Sequence, residues 1–338
     1  MMNKTKMFPV ATASDVARQA GVSRSAVSRT FTPGCSVSEE TRRKVLAAAK
    51  DLNYHVNMLA RGLSKEDSRP VCILGGKLAQ PFQASLLDQL TRQLQLSQRA
   101  VMVINTAGGE ASANQALKQT LNYRAAATVV LSGTPQASLV EQCVQSGQQV
   151  VLVNRLGQFD GVDHVGIDYR HTMSDAYGML ARAQCDNIAL ISSKIQSPSM
   201  VSREQGFLQA AALSGQECSV YRCEATSYEG GARMARQLFA RRHRPDGVFC
   251  VTDLVACGVI DVARYEFGLR IPEDLCVVGF DDIEQAGWGA YQLTTFAQPL
   301  QHMAAAINQL LAPEGRGATS LTQLFTASPV WRKTVRPS

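Results

Sequence analysis

The sequence predicts an N-terminal all-α unit followed by an α/β core of two doubly wound parallel-sheet subdomains. Two observations carry this prediction. The first is a basic segment in which cap residues, a glycine turn and apolar residues at helical spacing outline short helices. The second begins near residue 70, where short apolar runs alternate with helical stretches. This is the βαβ pattern of parallel sheets covered by helices on both faces.

The net positive charge of the chain is confined to its first fifth. Residues 1–66 contain eleven lysines and arginines against five acids, whereas the remainder contains 23 of each. A basic unit joined to a neutral body is typical of proteins that bind the phosphate backbone of nucleic acid. A solvated basic surface without a partner is the alternative that charge alone leaves open.

Two short helices joined by a glycine turn are predicted at the start of the basic segment. Thr12 is placed to cap a first helix that runs to Ala20, with Asp15 in its first turn. Gly21 can take the positive φ of a tight turn, and Ser23 can cap a second helix that ends near Phe31. This arrangement is the helix-turn-helix, which sets its second helix into the major groove of DNA.

A third helix is predicted after the break at Pro33-Gly34. Ser38 caps it, it runs to Leu52, and its buried stripe is expected to comprise four apolar residues: Val45, Leu46, Ala49 and Leu52.

The segment from Asp15 to Leu63 resembles the headpiece of the LacI/GalR transcriptional regulators along nearly its full length. The resemblance implies a hinge after the third helix that folds on operator DNA and wedges a leucine, here Leu63, into the minor groove. An ordinary linker leucine is the alternative. Val56 and Gly62 depart from the family pattern and weaken the helical tendency of the free hinge. The predicted DNA contacts are Thr12, Ser23, Arg24, Ser25, Ser28, Arg29, Asn57, Ala60, Arg61 and Leu63.

The core shows two series of strand and helix signals. The apolar runs lack the two-residue alternation of half-exposed strands, so both sheets are expected to be buried on both faces. Helices are predicted over 82–97, 110–122, 136–146, 171–183, 202–214, 229–241, 253–267 and 301–311, each next to such a run.

Polar residues at strand ends indicate a ligand site in the crevice between the two subdomains. The LacI/GalR resemblance implies a periplasmic-binding-protein-like core and places the effector contacts at Phe82, Asn154, Arg203, Thr252 and Asp281, with Asp168 near them. An aromatic ring, amides, carboxylates and an arginine suit a polyol or a sugar acid. Sugar or sugar derivative is what the family implies. Thr226 and Thr252 depart from the residues of several sugar-responsive members. There are alternatives to a role in effector binding: Phe82 could be an ordinary core residue, and caps alone could explain Asp253, Asp281 and Asp282.

The expected domains are a helix-turn-helix headpiece over 10–56, a hinge and linker over 57–69, and a core over 70–338. Within the core, subdomain 1 comprises about 70–166 and 296–318, and subdomain 2 about 167–295 and 319–335. Gln298 lies at the predicted crossover between them. The chain finishes without a leucine heptad repeat, so a homodimer is expected.

The predicted function is that of a cytoplasmic repressor that binds a palindromic operator and responds to a sugar-like small molecule. The sequence shows no 18-residue apolar run and no signal-peptide pattern, so no membrane contact is expected. Nine scattered cysteines, without a C-x-x-C pair, indicate neither disulfides nor a metal site. Catalytic motifs are missing, so no enzyme and no cofactor is predicted. A periplasmic sugar-binding protein would share the core but would not explain the head. A transcriptional activator would show the same sequence features as a repressor, so it is a further alternative.

Overall fold

The computed structural model describes residues 11–32, 34–56, 69–106, 109–133, 135–155, 159–312 and 320–337. The chain divides into two compact units, Met1–Arg69 and Pro70–Ser338. Within the described ranges, no helix is both long enough and apolar enough to span a bilayer.

The first unit contains three helices, α1 (Ala13–Ala20), α2 (Arg24–Thr30) and α3 (Glu39–Asp51). Each begins at its predicted cap. The Thr12 hydroxyl accepts from the backbone N–H of Asp15 and the Asp15 carboxylate accepts from that of Thr12, which completes a capping box. Gly21 ends α1 in the left-handed region at φ +67°. The predicted helix-turn-helix is therefore confirmed.

The core of the first unit is a small apolar cluster centred on Val16, Val27 and Val45, all fully buried. The prediction that Leu46 belongs to it is wrong, because its side chain is 47% exposed. Helix α3 buries Val45 together with Ala48 and Ala49, the neighbours three and four residues on, which leaves Leu46 off the buried face.

The second unit is built mainly from two parallel sheets with helices between most successive strands, as predicted. Its elements in chain order are β1 (Val71–Gly76), α4 (Pro81–Leu96), β2 (Val101–Thr106), α5 (Gly109–Asn122), β3 (Ala127–Val130), α6 (Ala137–Gln145), β4 (Gln149–Val153), β5 (Val162–Ile167), α7 (Tyr169–Arg182), β6 (Ile188–Ser193), α8 (Pro198–Leu213), β7 (Ser219–Cys223), α9 (Tyr228–Phe239), β8 (Gly247–Cys250), α10 (Asp253–Asp261), β9 (Cys276–Val278), β10 (Thr295–Ala297), α11 (Leu300–Leu310), β11 (Thr322–Phe325) and β12 (Ser328–Val330).

The first sheet has the strand order β11-β5-β4-β3-β1-β2 and the second has the order β7-β6-β8-β9. Central strands such as β3, β6 and β8 are buried along their whole length, which explains their apolar runs. Parallel strands align their carboxyl ends, so each sheet presents one edge of loops where polar residues gather.

The C-terminal strands differ from the predicted division of the core. Residues 319–335 were expected in subdomain 2, but β11 pairs in parallel with β5 and therefore extends the first sheet. The prediction missed this pairing because it joins Thr322 to His164, far apart in the sequence. Strand β12 then pairs antiparallel with β10, whose chain leads from β9 to α11.

Candidate functional site

The first unit presents the exposed face of α2 as its candidate DNA-contact surface. Arg24, Ser25, Ser28 and Arg29 are all exposed, while Val27 faces the core. Helix α2 contains no acid, so no carboxylate of its own opposes an approaching phosphate.

Local hydrogen bonds order the start of α2. The Ser23 hydroxyl accepts from the backbone N–H of Ala26 at 3.2 Å and lies 2.8 Å from the Ser25 hydroxyl. The Arg29 Nε donates to the Ser25 carbonyl at 3.4 Å. Thr12 is exposed at the start of α1, where its hydrogen bonds lower the pKa of Asp15. The predicted contacts Asn57, Ala60, Arg61 and Leu63 lie outside the described residues.

The second unit contains a cavity of about 360 Å³ between the carboxyl ends of its two sheets. Five of the six predicted effector residues line it: Phe82, Asn154, Arg203, Thr252 and Asp281. Asp168 is not among the described lining residues; it caps α7 by accepting from the backbone N–H of Arg170 at 3.1 Å.

Arg203 is the most buried charged group of the cavity wall. Its side chain is 3% exposed and lies in the second turn of α8, which begins at Pro198 rather than at the predicted residue 202. Its Nη2 donates to Asp281 at 3.1 Å and its Nη1 to the Val251 carbonyl at 2.6 Å. The guanidinium carbon stacks 3.8 Å from the centroid of the Phe280 ring. Its Nε is buried and has no hydrogen-bond partner.

A hydrogen-bonded chain of side chains joins the two sheets beneath the cavity. Gln298 donates to the Asp281 carboxylate at 2.9 Å, and its own carbonyl oxygen accepts from the Asn154 amide at 3.2 Å. Asn154 follows β4 in the first sheet, whereas Asp281 follows β9 in the second. Burial raises the pKa of Asp281, while Arg203 and Gln298 act in the opposite direction. Any ligand in the cavity therefore lies against groups that couple both sheets.

Backbone strain is concentrated at this cavity. Three lining residues that are not glycine, Lys77, Asn154 and Asp281, have positive φ values of 53°, 54° and 117°. Such conformations cost of order 1–3 kcal/mol each and persist only where the surroundings impose them. Strain of this kind is typical of ligand sites.

The two remaining predicted lining residues have local structural roles as well. Phe82 packs against the apolar clusters of both sheets, so it is at once a core residue and a cavity residue. Thr252 caps α10 by accepting from the backbone N–H of Val255 at 3.5 Å.

Sequence reasoning missed several lining residues, including Lys77, Gln83, Ser132 and Arg155. Arg155 carried a usable signal, because it directly follows Asn154 at the end of a buried strand. No group of three or more His, Cys, Asp or Glu side chains that could hold a metal ion occurs in the part of the chain that the structure describes.

Asp253 is buried beside the cavity as a structural acid. Its carboxylate accepts from the Thr295 hydroxyl at 2.5 Å and from the backbone N–H of Ile283 at 2.9 Å, which ties α10 to β10 and to the loop after Asp281. Burial, and then the charge of Asp281, raise its pKa to about 7.

We expect the stability of the chain to fall as the pH rises from about 4 to about 7. The folded carboxyl of Asp253 has a pKa of about 7 against 3.8 when unperturbed, so folding takes up a proton in this window. The favourable contribution is complete at the acid end and is lost by about pH 7. Urea unfolding of the Asp253→Asn variant should show a smaller decline over this range. Asp274→Asn is the control, because Arg270 holds the pKa of Asp274 at about 2. Equal declines in wild type and Asp253→Asn would contradict this assignment.

Comparisons with known proteins agree with both units. Residues 12–57 match the family described as bacterial regulatory proteins, lacI family, and residues 177–335 match the periplasmic binding protein-like domain. The HTH-type transcriptional regulator GalR of Escherichia coli K12 is 28% identical over 333 residues, 96% of each chain. Catabolite control protein A of Priestia megaterium is 28% identical over 301 residues, 88% of this chain and 90% of that protein.

Solved structures show the same fold. The Lac repressor dimer bound to operator and the anti-inducer ONPF matches with a TM-score of 0.86 at 23% identity, over 96% of this chain and 99% of that chain. The complex of the transcriptional regulator CelR with cellobiose matches with a TM-score of 0.69 at 24% identity, over 96% and 99%.

The helical head, the two-sheet core and the matches over both units all indicate a transcriptional regulator. Regulators of the lacI family act by binding DNA and carry a ligand-binding core, so the prediction that the chain is not an enzyme is confirmed. The chain belongs to the LacI/GalR family of transcriptional regulators.

Proposed function

We propose that the chain is a repressor that binds a palindromic operator as a homodimer and is controlled by a polyhydroxylated small molecule, such as a sugar derivative, in the cavity. The observation that carries this proposal is that one chain combines an exposed, acid-free helix α2 with a cavity walled by two sheets.

The DNA-binding part rests on the surface chemistry of α2. Exposed arginines can bond the edge of guanine in two places, and exposed serines can bond a base or a phosphate. Two such headpieces related by a two-fold axis would read a two-fold symmetric site, with half-sites about one helical turn apart. Residues 57–69 would form the hinge between head and core, with Leu63 as the minor-groove wedge.

The ligand-binding part rests on the donor and acceptor set of the cavity. Arg203 and Asp281 offer a donor and an acceptor side by side, Asn154 has a buried carbonyl oxygen without a hydrogen-bond partner, and Phe82 supplies an apolar face. Alternating donors and acceptors suit vicinal hydroxyl groups, which both donate and accept. An aromatic face suits the C–H face of a sugar ring.

Control of DNA binding would follow from the position of the cavity. Its walls come from both sheets, which are joined through Asn154, Gln298 and Asp281. A ligand that contacts these groups differently in two arrangements of the sheets shifts the population between them, and with it the affinity for the operator.

DNase I footprinting on the region upstream of the chain's own gene tests the DNA-binding proposal. We expect protection of a palindrome of about 14–18 base pairs, the span of two headpieces one helical turn apart. Protection of one asymmetric site, or no protection even at low salt, would rule out the dimeric operator complex.

A further inference from the structure

The cavity contains two arginines in different electrostatic situations. Arg203, on the second-sheet side, is paired with Asp281 and also donates to a backbone carbonyl. Arg155, on the first-sheet side, is the second residue after β4 and lines the same cavity. Within the described part of the chain, no carboxylate forms an ion pair with its guanidinium.

The Arg155 side chain has no acceptor among the residues that the structure describes. Its Nε is buried without a hydrogen-bond partner, and no carboxylate lies within ion-pair distance of its guanidinium. Its carbonyl oxygen alone is engaged, 3.1 Å from Nδ1 of His164. Burial lowers the pKa of Arg155 to about 10, so the group is still cationic at neutral pH.

Several other partly or fully buried arginines of the second unit have acceptors for their side chains. Arg332 pairs with Asp282 and donates to the Leu293 carbonyl, and Arg336 donates to the carbonyls of Ala183, Pro272 and Glu273. A desolvated cation without such partners is unfavourable. Buried charges in proteins are therefore usually paired with an opposite charge or hydrogen-bonded. A ligand in the cavity that Arg155 lines would supply the acceptor that the described residues lack.

The remaining charges of the cavity leave a positive excess on the same side. The lining residues are three cations, Lys77, Arg155 and Arg203, and two acids, Glu110 and Asp281. The Asp281 carboxylate already accepts hydrogen bonds from Arg203 and Gln298. Lys77 and Glu110 are exposed, and Glu110 forms no ion pair with Arg155 in the described part of the chain.

We propose that the effector carries an oxyanion, a carboxylate or a phosphate, and that Arg155 binds it at the first-sheet wall of the cavity. The inference rests on the proposed function and makes it more specific. The ligand spans the cavity with its anionic end on Arg155 and its hydroxyl groups on Arg203 and Asp281. A guanidinium matches both oxyanions because its N–H groups can bond two oxygens at once. The effector class is therefore sugar acids or sugar phosphates rather than neutral sugars.

The direct test uses inorganic phosphate and acetate as probes of the full-length chain. Thermal unfolding is measured in each salt against chloride at equal ionic strength. We expect one or both oxyanions to raise the unfolding temperature, and we expect Arg155→Gln to weaken that binding about tenfold or more. Arg236→Gln, on the exposed surface, is the matched control and should respond like the wild type. Stabilisation that persists undiminished in Arg155→Gln, or is absent from the wild type, would overturn the proposal.

Two further arms keep the result interpretable. Arg155→Lys keeps the charge without the two-pronged geometry, so it should retain part of the response and serves if Arg155→Gln folds poorly. Panels of aldoses, their aldonic acids and their phosphates then separate the two oxyanion sources. Stabilisation by a neutral aldose that equals that by its acid and phosphate refutes the oxyanion subsite and leaves the proposed function intact. Oxyanion binding that depends on Arg155, without any operator footprint, supports the subsite and refutes the proposed function.

Discussion

Replacing Arg203 by alanine is expected to lower the free energy of unfolding of the core by about 3–5 kcal/mol, the usual cost of removing one member of a buried ion pair. Both side chains are almost fully buried, at 3% and 6% exposure for Arg203 and Asp281. The substitution leaves the Asp281 carboxylate with Gln298 as its remaining side-chain donor. It also removes the cation stacked on Phe280. Urea unfolding of the full chain measures the loss.

The control for this prediction is an exposed ion pair in the same half of the core. Arg236 and Glu266 are 51% and 42% exposed, so Arg236→Ala should cost no more than about 1 kcal/mol. The double variant Arg203→Met/Asp281→Asn removes both charges and should be less destabilised than Arg203→Ala. If Arg203→Ala were no worse than Arg236→Ala, the pair would not be the buried link between α8 and the loop after β9.

Replacing Arg24 by alanine is expected to weaken operator binding by about 1–3 kcal/mol while leaving non-specific DNA binding nearly unchanged. Arg24 is the first residue of α2 and is exposed, and its helix begins at the Ser23 cap. A residue at the N-terminal end of a recognition helix can reach base edges, and an arginine there discriminates guanine from the other bases. Fluorescence anisotropy with operator and unrelated duplexes measures both affinities.

Arg43 provides the matched control for Arg24. It is an exposed arginine of the same unit but belongs to α3. Arg43→Ala changes the net charge equally and should weaken both duplexes to a similar, small extent. If Arg24→Ala lowered the affinity for both duplexes equally, Arg24 would contact phosphate rather than a base.

The sequence predicts local features well because short-range chemistry determines them. Thr12, Ser23 and Ser38 begin their helices because their hydroxyl groups accept from backbone N–H groups three residues on. Gly21 ends α1 because the left-handed turn disfavours any side chain. The central buried strands were predicted equally well, since apolar runs flanked by polar residues are a local pattern. The edge strands β2 and β7 were also expected to be buried on both faces, but they are partly exposed.

Features set by distant contacts were predicted poorly. Strand β11 was assigned to the wrong subdomain because its partner β5 is more than 150 residues away. Arg203 was expected at the opening of its helix, but Pro198 begins that helix one turn earlier. Asp168 lies at a strand end like Asn154, yet its carboxylate caps α7. Whether a strand-end residue faces a cavity or caps a helix depends on the neighbouring chain.

Arg155 illustrates the limit of sequence reasoning most clearly. Its position after Asn154 indicates a strand end, but the sequence does not reveal that its charge has no counter-ion among the described residues. That property depends on every residue packed around it. The proposed ligand class rests on this arginine, and the fold alone does not supply it.

The central claim, that the chain reads an operator sequence as a symmetric dimer, is tested most directly by comparing two duplexes at near-physiological salt. One carries the palindrome found by footprinting, and the other has one half-site scrambled at equal length and composition. Anisotropy titrations should show at least about a thousandfold tighter binding of the wild-type chain to the palindrome than to unrelated DNA, with the scrambled duplex close to the unrelated one. Equal affinities for the palindrome and the scrambled duplex would contradict the claim.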